Sequence, residues 1–356
     1  MKNMKNDKGT ISVSMVEEAL ALARSRGLDA LPLAEAAGIA APMLASPKSR
    51  VSSAQYGALW AAIARALDDE FFGQDSHRMK SGSFIAMTQT ALTARNGAQA
   101  LARAVGFMRL VLDDLGVQIE TDTRADTRAD TQHVRLRFVE NPNAPPPAMF
   151  AYATYFILVY GLLCWLVGRR IPLLEARFRC AEPPAAHEYR LMFCDHMSFG
   201  QAESYVDLAA AFLDLPVVQT TKSVKPFLRD APGSFIVKYR NPGSLAARVR
   251  KMLRALPMAG WPAADQMAER LHVAEATMRR RLKQEGYTYQ SIKDDLRRDI
   301  AIGELQDTNR TIADIATSVG FAEPSAFHRA FRKWTGMRPT DYRPARADFT
   351  RRTESD

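Results

Sequence analysis

The side chains best suited to chemistry stand in "SAFHRAFRKW", residues 325–334, where one histidine, two arginines and a lysine alternate with aromatic rings. Phe327, Phe331 and Trp334 recur four and three residues apart, which is one face of an α-helix. His328, Arg329, Arg332 and Lys333 fill the rest of the arc, so the helix packs by its rings and offers cations to an anion. A second basic run, "TMRRRLK", sets Arg279, Arg280 and Arg281 between Met278 and Leu282 in the same way. The candidates for catalysis or metal binding form no comparable set. Cys180, His187, Cys194 and His196 fit no common zinc spacing. Asp195 and His196 could move protons, but no nucleophile accompanies them. There is no P-loop and no dinucleotide-binding glycine motif. The expectation is a chain with no catalytic residue, no metal and no cofactor.

Charge gives the cations a context. Of the net +9 on 356 residues, +6 falls from Asn241 onward, where 21 Lys/Arg stand against 15 Asp/Glu. An anionic polymer such as nucleic acid is the natural partner of that segment. Three cysteines without a disulfide framework suit a reducing compartment. The opening "MKNMKNDKGTIS" carries no apolar core of a secretory signal, so the expected location is cytoplasmic.

The elements that must position these cations follow from hydrophobic spacing. "AADQMAERLHVAEATMRRRLKQEG" reads as helix, tight turn, helix, with Met267, Ala268 and Leu271 buried on the first and Met278 and Leu282 on the second. "YQSIKDDLRRDIAIGELQ" continues as a long helix with Ile292, Leu296, Ile300 and Leu305 inward. The pattern then repeats in "TIADIATSVGFAEPSAFHRAFRKWTG", where Thr311 can cap, Ile312, Ile315 and Ala316 face inward, and Gly320 supplies the turn. Two helix-turn-helix units joined by a helix are a specific arrangement, because a merely solvated charged face gives no reason for the duplication.

The first two thirds read differently. "MVEEALALARSRG", "SSAQYGALWAAIARAL" and "AQALARAVGFMRLVLDDLG" are amphipathic helices, the last ending on Gly116. "VQIET" and "HVRLRFVE" alternate as a hairpin around the tandem "TRADTRAD", expected to be a solvated loop. Residues 148–168, "AMFAYATYFILVYGLLCWLVG", are long enough for a membrane span, but their Ala, Thr and Tyr content and the strand that follows favour a buried central helix. With "LLEARFRC", "AAHEYRLMF" and "SYVDLAAAFLD" after it, the fold class is an α+β N-terminal domain followed by an all-α domain with two helix-turn-helix units, the part expected to bind nucleic acid. Prolines and glycines between 216 and 244 place a linker there, giving domains over 1–215 and 245–356.

The C-terminal segment resembles the AraC/XylS family of bacterial transcription regulators. The resemblance rests on Ile312, Ile315, Ala316, Gly320, Phe321, Ser325, Phe327, Arg329, Phe331, Gly336, Pro339, Tyr342 and Arg343. The first unit departs from the pattern at Ala274, where a capping serine is common. The resemblance implies that the second helix of each unit enters a major groove, the two about one DNA turn apart. By position, Ala276, Arg279 and Arg280, and Ser325, His328 and Arg329, face bases, while Arg281, Lys283, Arg332 and Lys333 hold phosphates. Arg279 and Arg329 are placed opposite the apolar stripes, and Lys333 at the far end of its helix. "RVSSAQYGALW", "SGSFIAM", "MFCDHMSFGQAES" and "FLDLP" resemble the arabinose-binding-like regulatory domain attached to one branch of the family. Implied partners are double-stranded promoter or operator DNA, a small-molecule effector that the sequence does not identify, RNA polymerase, and a second copy as an option. The implied function is a ligand-responsive, DNA-binding activator; the alternative is an enzyme-like N-terminal half with an appended DNA-binding module.

Overall fold

The computed structural model describes residues 10–121, 133–231, 233, 245–285, 287–306 and 310–343. Strand β1 (Thr10–Ser12) leads into helix α1 (Val13–Ser25), then α2 (Ala30–Ala36), α3 (Ala41–Leu44) and β2 (Arg50–Ser52). Three helices follow: α4 (Ser53–Leu67), α5 (Ser83–Leu92) and α6 (Gly97–Val111). Strands β3 (Leu115–Thr121) and β4 (His133–Glu140) precede α7 (Met149–Leu166) and β5 (Leu173–Arg177). Next come α8 (Ala186–Met192), β6 (Met197–Ser198), β7 (Tyr205–Ala209) and α9 (Thr221–Asp230). The rest is helical: α10 (Leu245–Arg254), α11 (Ala264–Arg270), α12 (Glu275–Gln284), α13 (Tyr289–Leu305), α14 (Ile312–Ser318) and α15 (Pro324–Thr335). The chain divides into two compact units, one of Ser14–Ala37 and Ser53–Asn241, the other of Met1–Val13, Gly38–Ser52 and Pro242–Asp356.

The larger unit is built around α7. This helix has the length and hydropathy of a membrane span, yet 89% of it is buried inside the protein. Two of its polar side chains bond nearby carbonyls, Thr154 donating to Phe150 at 2.7 Å and Tyr160 to Ile171 at 2.6 Å, while the buried Tyr155 hydroxyl has no partner among the described residues. A helix apolar on every side belongs at the centre of a unit, which is where the sequence places it. The five-stranded sheet has the order β3-β4-β7-β5-β6, antiparallel throughout except for β5 and β6. On β4, Val134, Leu136 and Phe138 are buried, while Arg135 and Arg137 turn outward to Asp207 and Glu120. This is the period-2 alternation of a sheet with one covered face.

Three expectations for the chain up to α9 need correction. Helix α6 stops at Val111 rather than running to Gly116, because the Asp75 carboxylate accepts the N–H groups of Asp113, Asp114 and Leu115 and fixes the turn into β3. About a third of the expected linker, residues 216–244, is helix α9, whose Phe227 ring stacks on Trp165 at 4.0 Å. Its Pro226 leaves one intrahelical carbonyl without a donor, a cost that this packing offsets. The strands β1, β2 and β6 were not anticipated; at two or three residues each they carry too little alternation to be read. The "TRADTRAD" repeat, residues 123–130, lies outside the described residues.

The smaller unit contains the double helix-turn-helix, but not by itself. Strands β1 and β2 pair antiparallel, Thr10 opposite Ser52, and belong to this unit. Ser46 donates to the Thr335 carbonyl at 3.0 Å, and the Arg50 N–H donates to the buried Tyr342 hydroxyl at 3.0 Å. Thr10 donates its hydroxyl to Asp299 of α13. The expected domain of residues 1–215 is thus interrupted: Met1–Val13 and Gly38–Ser52 group with the C-terminal helices, whose last buried residues they hydrogen-bond. Gly336 is required at that seam. Its φ is +76°, and a Cβ there would lie 2.6 Å from the Ser46 hydroxyl oxygen.

Candidate nucleic-acid interface

The first helix-turn-helix closes over a core of Val249, Leu253, Met267, Ala268, Leu271, Met278, Leu282, Ile292 and Leu296. Helix α10 is therefore part of this fold, supplying Val249 and Leu253. Ala268 lets α11 and α12 approach closely, as its size suggests. In the second unit, Ile315, Ala316, Phe327 and Phe331 are buried, whereas Ile312 is half-buried. Along α13, Ile302 and Ala301 fill the inward positions with Ile292, Leu296 and Leu305, and Ile300 is half-buried rather than inward.

The two turns solve one backbone problem with different residues. Gly320 has φ +80°, the left-handed region that glycine enters without penalty. His272 holds the equivalent turn of the first unit at φ +56°, a conformation that costs a non-glycine residue about 1–2 kcal/mol. The Thr311 hydroxyl caps α14 by accepting the Asp314 N–H at 3.0 Å, while the second helices of both units, headed by Ala274 and Glu323, have no side-chain cap.

The second helix of each unit counts from the same origin. Met278 is the fourth residue of α12 and Phe327 the fourth of α15, and both are fully buried. The sixth residues are Arg280 and Arg329, about 200° around from those anchors and hence on the outermost line of each helix. Ala276 and Ser325, the second residues, lie beside them. Ala276, Arg279, Arg280, Arg281, Lys283, Ser325, Arg329, Arg332 and Lys333 are all exposed. His328 is half-buried, its ring 6.3 Å edge-on to Phe327.

Arg279 does not lie opposite its stripe, as expected, but on the flank of α12; Arg280 takes that place. The Arg279 guanidinium is paired with Glu275 at 2.6 Å, one turn back. With Lys283, Tyr289, Gln290 and Lys293 it lines a concave surface of about 610 Å³. Sequence reasoning missed Lys293 and Tyr289, although their spacing of four on the first turns of α13 puts them on one face. Burial and the neighbouring Arg297 push the Lys293 amine below its usual pKa.

Arg297 of α13 reaches both helix-turn-helix units. Its guanidinium carbon lies 5.4 Å from the Trp261 ring, ahead of the first unit, and 5.8 Å from the Phe321 ring, in the turn of the second. Trp261 is itself fixed by donating to the Leu253 carbonyl at 2.8 Å. Arg297→Ala is expected to destabilise this unit by about 1–2 kcal/mol, and Arg297→Lys by less, because both cation–π contacts are partly desolvated. Urea denaturation of the three proteins measures the difference; equal midpoints would exclude the bracing role.

The cysteine and histidine candidates do not converge. Cys194 is buried, its thiol pushed up to about 12 by burial, and it lies 3.5 Å from the His196 carbonyl. His187 and His196 are exposed.

Comparison with known proteins agrees with this geometry. Residues 27–217 match the family model described as the N-terminal arabinose-binding domain of AraC transcription regulator, and residues 267–345 match a helix-turn-helix domain. The ornithine utilization regulator of Pseudomonas aeruginosa is 29% identical over 339 residues, 94% of this chain and 96% of its own. The virulence regulon transcriptional activator VirF of Shigella flexneri is 28% identical over 99 residues, 28% of this chain and 37% of its own. Among solved structures, the transcriptional regulator CdpR from Pseudomonas aeruginosa is 22% identical, covering 83% of this chain and 87% of its own at a TM-score of 0.30. With one family model spanning more than half of the chain and a second on the double helix-turn-helix, this chain belongs to the AraC family: a ligand-responsive, sequence-specific DNA-binding transcription regulator with an N-terminal effector domain.

Proposed function

We propose that the protein is a cytoplasmic, non-catalytic transcriptional activator that lies along promoter DNA with α12 and α15 in successive major grooves and recruits RNA polymerase, as a homodimer where two operator copies are present. The observation that carries this reading is the repeat of one exposed arginine, Arg280 and Arg329, at the sixth position of both helices over a buried fourth residue. In this reading Arg280, Arg329, Ser325, His328 and Ala276 meet base edges, with Arg or Ser able to pair with purines. Arg279 joins Arg281, Lys283, Arg332, Lys333 and Lys293 in holding phosphates, since its ion pair and concave surroundings suit a backbone contact. The name of VirF favours activation over repression.

The test uses the full-length chain. Genomic fragments retained by the purified protein are sequenced, and binding to a recovered site is followed from about 50 to 200 mM salt. Affinity should fall by roughly 10³-fold or more if six or so phosphates are neutralised. A transcription assay on the same promoter then separates activation from repression. Retention without sequence preference, or a salt-independent affinity, would reject the assignment of the two helices.

A further inference from the structure

The regulatory unit holds a cavity of about 290 Å³, at the small end of the range for small-molecule sites. Its walls are mostly apolar: Trp60 of α4, Phe84 of α5, Leu158 of α7 and Leu228 of α9. Two charged side chains reach it, and they differ. Glu70 is engaged, its two oxygens accepting the Gly82 and Phe84 N–H groups at 2.7 Å each, which fixes the start of α5. Arg65, exposed at the cavity, makes no hydrogen bond or ion pair among the described residues. A guanidinium without a counterion beside an apolar cavity is suited to one carboxylate on an apolar body.

Other chemistries fit less well. A sugar would bring several hydroxyls against Trp60, Phe84, Leu158 and Leu228, and each unmatched hydroxyl costs about 1–3 kcal/mol. An amine would meet Arg65 with like charge, while Glu70 is already occupied by two backbone donors. A dianion would face the Glu70 carboxylate. We propose that this cavity is the effector site and that its ligand is a small organic monoacid, with a single ring or short alkyl chain in the apolar wall and its carboxylate on Arg65.

The site also touches helix α9. Leu228 belongs to α9, which is otherwise seated by Phe227 stacked on Trp165 at 4.0 Å with an interplanar angle of 10°. Helix α9 is the last element of the regulatory unit before the chain continues to α10. A ligand that fills the cavity adds contacts to Leu228 and so changes how firmly α9 is held.

This inference rests on the N-terminal unit being an effector domain, and the experiment separates the two. Full-length protein is titrated with benzoate and hexanoate, with benzamide and hexanamide as neutral matches, and with L-arabinose and L-ornithine, following melting temperature and tryptophan fluorescence. The acids should bind saturably and at least tenfold more tightly than their amides. Arg65→Gln should remove that preference, and Leu228→Trp should block binding; melting of the ligand-free variants checks that they fold. Equal binding of acids and amides, or acid binding unchanged in Arg65→Gln, overturns the proposal. Binding of arabinose or ornithine alone, unaffected by either variant, overturns it while leaving the effector domain standing. If none of the six compounds binds at millimolar concentration, the monoacid assignment is wrong as well.

Discussion

Leu162→Asp is expected to leave the regulatory unit unfolded, with the protein recovered as aggregate, while Leu110→Asp should be almost silent. Both replace a leucine by the same carboxylate on a helix; what differs is burial. Leu162 is 0% exposed on α7, and Leu110 is 76% exposed on α6. A carboxylate at 162 would have only apolar neighbours on the buried helix, so it must either stay charged without a partner or take up a proton. Either route costs several kcal/mol, out of a total stability of about 5–15 kcal/mol for a domain. The surface change should stay within about 0.5 kcal/mol. Chemical denaturation of full-length proteins, with Leu162→Asn as the uncharged control, reads the result. The control should also destabilise, by less. A soluble Leu162→Asp protein with a wild-type midpoint would show that α7 is not the core, and recovery of wild type in washed membranes would reinstate the membrane span.

The same helix shows why much of this fold could be read in advance. A run of 18 residues without a charge, flanked by proline before and strand after, has few places to go, and burial on every side is one of them. The amphipathic helices and the β3–β4 hairpin were likewise given by period. What could not be read was anything set by contacts distant in sequence. Nothing in "PKSRVSS" announces that Arg50 will offer its N–H to Tyr342, nearly three hundred residues away. The grouping of Gly38–Ser52 with the C-terminal helices follows from such contacts and from no local pattern. It bears on fragment work: a chain cut at 245 lacks β1, β2 and α3, and should expose Tyr342, which is 2% exposed in the whole protein. Helix α9 escaped for a different reason. Its proline and flanking breakers point to a linker, whereas the Ser223 hydroxyl that accepts the Thr220 N–H and the packing of Phe227 on Trp165 and Phe84 hold it helical.

In the interface, residue types were readable and their angular order only in part. The apolar stripes located the second helix of each unit, but Arg279, one residue after Met278, lies only about 100° from it, whereas Arg280, like Arg329 after Phe327, lies about 200° away. The concave surface beside α12 needed the tertiary structure, because Lys293 comes from a different helix than Arg279 and Lys283.

That angular order makes the second large effect specific. Arg280→Ala and Arg329→Ala should each cost about 1–3 kcal/mol at the cognate operator, and each should relax preference at a few base pairs, in separate half-sites. Lys333→Ala and Arg279→Ala should instead weaken cognate and random DNA alike and lower the salt slope by about one phosphate contact each. The reason is position. Arg280 and Arg329 stand on the leading half of helices whose buried fourth residues point the other way, and the leading half of a reading helix is the part that reaches base edges. Lys333 is in the last turn of α15, and Arg279 is turned along the flank by its pair with Glu275. Because all four side chains are exposed, none of the substitutions should disturb folding, so lost affinity reports on DNA contact. Binding to a panel of single-base operator variants at two salt concentrations resolves the two classes. If Arg280→Ala lowers affinity equally for every variant while Arg279→Ala changes the base preference, α12 is rotated in the groove and the sequence-based placement of Arg279 was the correct one. If Arg329→Ala also behaves as a uniform loss, the sixth position holds backbone in both units, and base reading must pass to the second and fifth residues, Ala276 with Arg279 and Ser325 with His328.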